Sequence, residues 1–186
     1  EPAWIEEMTE HLTYFYTTLA RRLFASGIQL DWAMFWEDMA YNAGPLLSPT
    51  LYRRFCLPFY ETMTELIRAH GVPVLMLDSD GDVHQLIPLW LELGITGMHP
   101  MEAAAGMDVR KTRRQYGTGV RFLGGIDKRA LAHGRAAIDA EVILKVRKML
   151  DTGGGFIVEV DHGIPPDISF ADFCYYRDLI RSLCER

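Results

Sequence analysis

VPVLMLDSDGD, residues 72–82, runs Val74, Leu75, Met76 and Leu77 together without a polar break and then turns at once into acids and a glycine. A short apolar run bounded by turn residues reads as a strand buried on both faces, the kind found in parallel sheets. The same form returns in AMFWED (33–38), RFLGGID (121–127) and FIVEVDH (156–162). Each run ends in acids, joined in the last by His162. Chemistry in parallel α/β architectures sits at the carboxyl ends of the strands, where an acid adds little to a core. The sequence therefore marks a mouth before it marks a reaction.

Amphipathic helices separate these strands. From Trp4 to about Ser26 the apolar residues Ile5, Met8, Leu12, Phe15, Leu19 and Leu23 keep helical spacing, and Gly27 stops the helix. Ile28 to Trp36 is a first strand, and NAGP (42–45) breaks the chain. Ser48 as N-cap and Pro49 at the first helical position open a helix that Gly71 closes. Asp82 is expected to cap a helix running to about Leu93, with a kink or a late start imposed by Pro88. Strands around 95–98, 121–123 and 156–160, and helices over about 107–116, 138–150 and 170–183, complete the pass. The result is about five βα units, an α/β chain around a parallel sheet. A complete (β/α)8 barrel takes about 250 residues, so 186 residues hold little more than half of one. A complete doubly wound open sheet fits the length better, and motifs must decide between them.

Composition narrows the function classes. With 49% hydrophobic and 24% charged residues the chain reads as one globular domain, 1–186. Its formal net charge of −6 argues against a nucleic-acid surface, which needs clustered Lys and Arg. No apolar run approaches the length of about 20 residues that a membrane span needs. Three cysteines, Cys56, Cys174 and Cys184, lack CxxC spacing and read as free thiols of a cytoplasmic protein. The chain opens on Glu1, already inside a helix, which leads us to expect an upstream part.

Bland readings stand beside the chemical ones. DSDGD is also a turn followed by an N-cap, with Gly81 supplying positive φ and Asp82 capping. Asp127 precedes Lys128 and Arg129, so a salt bridge or helix cap competes with a role at the mouth. His162 carries the strongest functional expectation, because Asp161 beside it can orient the ring and Gly163 leaves it accessible. Gly153 to Gly155 precede a strand and do not open a helix, so they read as a tight turn and not a phosphate loop. Gly125, before Ile126, is better placed for close backbone approach to a ligand.

Four segments in order decide for the barrel: LSPTLYRRFCLPFYETMTELIRAHGVPVLMLDSDG (47–81), HPMEAAAGMD (99–108), LGGIDKRALAHG (123–134) and VDHGIPPDIS (160–169), closed by FADFCYYRDLIRSL (170–183). Together they resemble the C-terminal portion of the uroporphyrinogen decarboxylase superfamily, which includes porphyrinogen decarboxylases and corrinoid-linked methyltransferases. The resemblance implies a (β/α)8 TIM barrel of which this chain supplies about the last five βα units. Nothing in the chain resembles the arginine-rich loop and catalytic aspartate motif of the family's N-terminal half.

Charge argues the branch. A uroporphyrinogen carries eight carboxylates, and a mouth offering Glu37, Asp38, Asp78, Asp80, Glu102, Asp127, Glu159 and Asp161 would repel it. In the methyltransferase branch, Asp78, Asp80 and His162 stand where relatives place His, Cys and Cys as zinc ligands. Two carboxylates and an imidazole form a harder donor set, open to Zn²⁺, Mn²⁺, Fe²⁺ or Mg²⁺. The resemblance thus implies Asp78, Asp80 and His162 as metal ligands and His162, Asp161 and Asp38 as catalytic groups. Glu37, Glu102, Asp127 and Gly125 are expected to contact substrate, with Glu102 also a further ligand. We expect a small-molecule substrate, a corrinoid protein as partner, no nucleic acid or membrane, and a homo-oligomer covering an incomplete barrel. The alternatives are a genuine uroporphyrinogen decarboxylase, keeping His162 of the HG motif, and a non-catalytic fragment or binding module.

Overall fold

Residues 1–185 are described by a computed structural model of the chain. Helix α1 (Pro2–Ala25) leads into β1 (Trp32–Trp36), followed by a two-stranded hairpin, β2 (Ala40–Tyr41) and β3 (Gly44–Pro45). Then come α2 (Pro49–Phe55), α3 (Leu57–Ala69), β4 (Val74–Asp78), α4 (Ile87–Glu92), β5 (Gly97–His99) and α5 (Val109–Tyr116). The chain closes with β6 (Arg121–Ile126), α6 (Lys128–Leu131), α7 (Arg135–Leu150), β7 (Phe156–Val160) and α8 (Phe170–Cys184). The main sheet has the order β1-β4-β5-β6-β7 with every neighbouring pair parallel. Consecutive parallel strands joined by helices make a partial (β/α)8 barrel, so the expected fold class holds. Register brings Trp36 beside Asp78 and Asp78 beside His99, so the ends of β1, β4 and β5 are level, while β6 and β7 run on past them to Ile126 and Val160.

Two packed clusters support these strand ends. Leu75, Leu77 and Met98 meet Tyr52, Tyr60, Leu86, Ile87 and Trp90 on one side of the sheet's helical layer. Ile126 and Val160 meet Leu131, Ile138, Val142, Val146 and Tyr176 on the other, and Phe156 packs against both groups. Buried Trp90 donates its Nε1–H to Tyr52 Oη at 2.9 Å, so the aromatic core leaves no orphan indole.

The structure departs from the sequence reading where a local rule was overlooked. The helix expected from Ser48 to Gly71 is two helices, broken at Cys56 because Pro58 has no N–H to continue the ladder. Helix α4 takes the late start, at Ile87, with Pro88 harmless in its first turn. Asp82 does not cap it: its carboxylate accepts from the His84 N–H at 3.0 Å and closes a turn. Strand β6 runs on through Gly124 and Gly125 to Ile126. Burial on both faces holds for β4 but not for the edge strands. Trp32, Met34 and Trp36 of β1 and Ile157 of β7 lie exposed on the concave face, alternating with covered neighbours. A cavity of about 510 Å³ lined by Trp32, Val74, Met76, Leu123 and Ile157 occupies that face. No helix among the described residues is long and apolar enough to cross a membrane.

Candidate functional site

The turn after β4 projects Asp80 because its neighbours are pinned. Ser79, buried, donates its N–H to His99 O at 2.9 Å and accepts the Met39 N–H on Oγ at 3.1 Å. Gly81 has φ of 85° and sits so close to Ala40 and Tyr41 that no side chain fits. Its N–H donates to Glu102 Oε2 at 2.8 Å, drawing the loop after β5 towards Asp80.

Asp161 organises the other side. It is 2% exposed, and its N–H extends the sheet by donating to Ile126 O at 2.8 Å. Its carboxylate accepts the Ala103 N–H at 3.0 Å and the Lys128 N–H at 3.2 Å. Such a carboxylate is compensated by backbone donors and does not need a cation. His162 follows, with Nδ1 3.6 Å from Asp161 Oδ1 and Nε2 3.1 Å from Asp80 Oδ1. Ligand atoms of Asp80, Glu102 and His162 all lie within 4.8 Å of one another. Residues from the ends of β4, β5 and β7 therefore converge on one point above the sheet.

The structure brings together only part of the expected site. Asp80, Glu102, His162 and Asp161 meet, and exposed Asp38 lines a cavity of about 360 Å³ with Asp80, Glu102 and Tyr41. Asp78 is not in the three-residue cluster; its Oδ1 lies 3.0 Å from His99 Nδ1, at an angle too poor for a good hydrogen bond. Glu37 projects to the other side of β1, into a separate cavity with Tyr16 and Phe59. Burial raises its pKa, opposed by the Tyr60 hydroxyl. Asp127 takes the structural alternative: it caps α6 through the Arg129 N–H at 2.9 Å and forms a bidentate pair with that guanidinium. The Arg129 pairing holds its carboxyl below the usual range. Gly125 is required by the protein itself, since a Cβ there would meet Val109 Cγ1 at 2.5 Å.

Sequence reasoning missed a basic wall. Arg177 and Arg181 of α8 line a cavity of about 670 Å³ with His99, Glu159, His162 and Tyr176. Their spacing of four residues on one helix was visible, but which face of α8 turns to the mouth was not.

A family model described as Uroporphyrinogen decarboxylase (URO-D) matches residues 1–183. Similar curated proteins include those named uroporphyrinogen decarboxylase from Ectopseudomonas mendocina (strain ymp) and Azotobacter vinelandii (strain DJ / ATCC BAA-1303), each 29% identical over 130 residues, or 67% of this chain and 35% of the relative. Another, of the same name, comes from Myxococcus xanthus (strain DK1622), 29% identical over 125 residues, covering 66% of this chain and 33% of the relative. The chain spans about a third of the length of the curated relatives it matches.

Proposed function

The chain belongs to the uroporphyrinogen decarboxylase family, and from that premise we propose that it serves a methyltransferase-like enzyme whose Asp80, Glu102 and His162 hold a divalent cation. The observation that carries the reading is the convergence of these three side chains, from three strand ends, within 4.8 Å. Ligands on a common ion at about 2.0–2.2 Å lie closer to one another than that, so binding asks only for a small contraction. Two carboxylates and one imidazole suit Mn²⁺, Fe²⁺, Zn²⁺ or Mg²⁺. Bound there, the ion would act as a Lewis acid on a small substrate at the mouth. Asp161 Oδ1, 3.6 Å from the unpartnered His162 Nδ1, would orient the ring by closing on that nitrogen, leaving Nε2 to Asp80 and the ion. Asp38, open to solvent beside Asp80, is the group placed to take a proton from a substrate bound in that cavity. A corrinoid protein as methyl-group partner belongs to the same proposal.

Metal analysis of protein purified without added metal, followed by thermal melts on titrating Mn²⁺ and Zn²⁺, tests it. Bound metal, and a melting temperature that rises with either ion and no longer rises in Asp80→Asn or Glu102→Gln, is the expected result. Absence of metal and flat titrations would remove the reading.

A second reading has its own support. Arg177 and Arg181 beside His162 suit a carboxylate-bearing substrate, and the relatives named above are uroporphyrinogen decarboxylases. In that case His162 would deliver the proton that replaces a departing carboxylate. Carbon dioxide release from uroporphyrinogen, lost in Arg177→Ala, would favour it over the metal-centred proposal.

A further inference from the structure

Away from the mouth, on the helical side of β1, a cavity of about 260 Å³ lies between α1, α2 and α3. Its walls are apolar and aromatic: Leu12 and Tyr16 from α1, Phe55, Cys56, Phe59 and Tyr60 from the α2–α3 segment. Glu37 is its carboxylate, half buried among them, and none of its walls carries a cation. A carboxylate so placed loses hydration without gaining a counter-charge, an arrangement that costs stability unless something fills it.

Behind Glu37 the core holds two buried tyrosines, Tyr52 and Tyr60. Trp90 can only donate, and its N–H goes to Tyr52 Oη at 2.9 Å. The Tyr60 ring stacks on that of Tyr52 with centroids 6.2 Å apart. Tyr60 is 1% exposed, and its hydroxyl finds no partner in good geometry although Glu37 and Tyr52 are both close enough to influence it. A buried hydroxyl without a partner beside a half-buried carboxylate leaves both groups short of polar contacts on the side of the cavity. The Cys56 thiol stays neutral, pushed up to about 11 by burial and the nearby Glu37.

We propose that this cavity is a binding site, distinct from the mouth, for a small ligand with an apolar or aromatic body and a protonated primary amine. The apolar walls take the body and the Glu37 carboxylate takes the ammonium, with the unpartnered Tyr60 hydroxyl in the same wall. Size sets the class: the cavity lies just below the range of about 300–1,000 Å³ for drug-sized ligands, so it admits a phenylalkylamine and excludes a tetrapyrrole. Charge sets the sign: an anion would face Glu37 without compensation. Binding also draws Glu37 to its charged form, so affinity should rise as pH is raised through the titration of that group. The proposal is independent of metal at Asp80, Glu102 and His162.

Calorimetric titration with 2-phenylethylammonium tests it, with 2-phenylethanol and 3-phenylpropionate as neutral and anionic comparators. The ammonium should bind, the alcohol should bind at least about tenfold more weakly, and the carboxylate should not bind, because a charge-assisted contact is stronger than a neutral one. Glu37→Gln, nearly the same shape, should weaken the ammonium about tenfold or more and abolish its pH dependence. Leu12→Trp, on a half-exposed position of α1, should fill the cavity and block the ammonium and the alcohol while leaving the far-ultraviolet circular dichroism unchanged. Equal affinity for ammonium and alcohol, equal affinity in wild type and Glu37→Gln, or no binding of the ammonium to wild type would each overturn the proposal.

Discussion

Replacing Gly81 by alanine should damage the fold and the site together. An alanine Cβ would stand 2.5 Å from Ala40 C, 2.6 Å from Tyr41 N and 2.7 Å from Ala40 O, all backbone atoms that cannot rotate away. Restoring ordinary contact means moving the β2 strand back by roughly 1 Å, since carbon atoms rest at about 3.5–4.0 Å. That shift strains two hydrogen bonds that join the segments, Asp82 N–H to Tyr41 O at 3.0 Å and Met39 N–H to Ser79 Oγ at 3.1 Å. Holding a non-glycine residue at φ of 85° costs about 1–2 kcal/mol, and each of the two bonds weakened about 0.5–1.5 kcal/mol, for a total of about 2–5 kcal/mol. Urea denaturation followed by tryptophan fluorescence measures the loss, with Gly163→Ala as control, because a Cβ there meets nothing and φ is ordinary. The control should change stability by less than about 0.5 kcal/mol. Because Gly81 N–H also holds Glu102, the Mn²⁺ affinity expected under the metal-centred proposal should fall about 10- to 100-fold in the alanine variant. A stability loss below about 1 kcal/mol, with Mn²⁺ binding intact, would refute the claim that backbone crowding at Gly81 sets the turn.

Two further outcomes follow from buried charge. Lys145 is 4% exposed, donates to Gly125 O at 2.8 Å and pairs with Glu141, so Lys145→Met should cost about 2–4 kcal/mol in urea. Adding Glu141→Gln should recover part of that loss, since it removes the abandoned carboxylate. At Asp108, burial opposes ionisation, but the hydrogen bonds and charge of Arg110 win and bring its pKa down to about 2. A depressed carboxyl stabilises the fold above its unfolded pKa of about 4 and loses that contribution as pH falls towards 2. Discounted for the partial exposure of both partners, the contribution is about 1 kcal/mol, and Asp108→Ala should lose it at pH 6 but not at pH 2 in thermal melts.

What the sequence made legible was the order of elements and the strand ends, because short apolar runs and acids after them are local signals. Val74 to Asp78 and Phe156 to Val160 were readable for that reason. The break at Cys56 was equally local and turned on Pro58. Direction was not local. Glu37 and Asp38 are adjacent in the chain, yet strand alternation sends one to the helices and the other to the mouth. Asp78 and Asp80 both looked available, but only the second points at His162; the first faces His99, and nothing in DSDGD says so. Gly125 read as room for a ligand, whereas the room is already taken by Val109 from a helix that precedes it in the chain.

Asp161 has a consequence for how this fold can be altered. One buried carboxylate and one N–H fasten the segments after β5, β6 and β7 to each other, and His162 is carried on the knot. Lengthening any one of those segments would drag the imidazole away from Asp80, even when the insertion lies far from either residue in the chain. For loop grafting or recombination, the three segments form a single exchangeable cassette: moved together they would carry Glu102 and His162 in register for an acceptor's own counterpart of Asp80, and moved singly they would dismantle it.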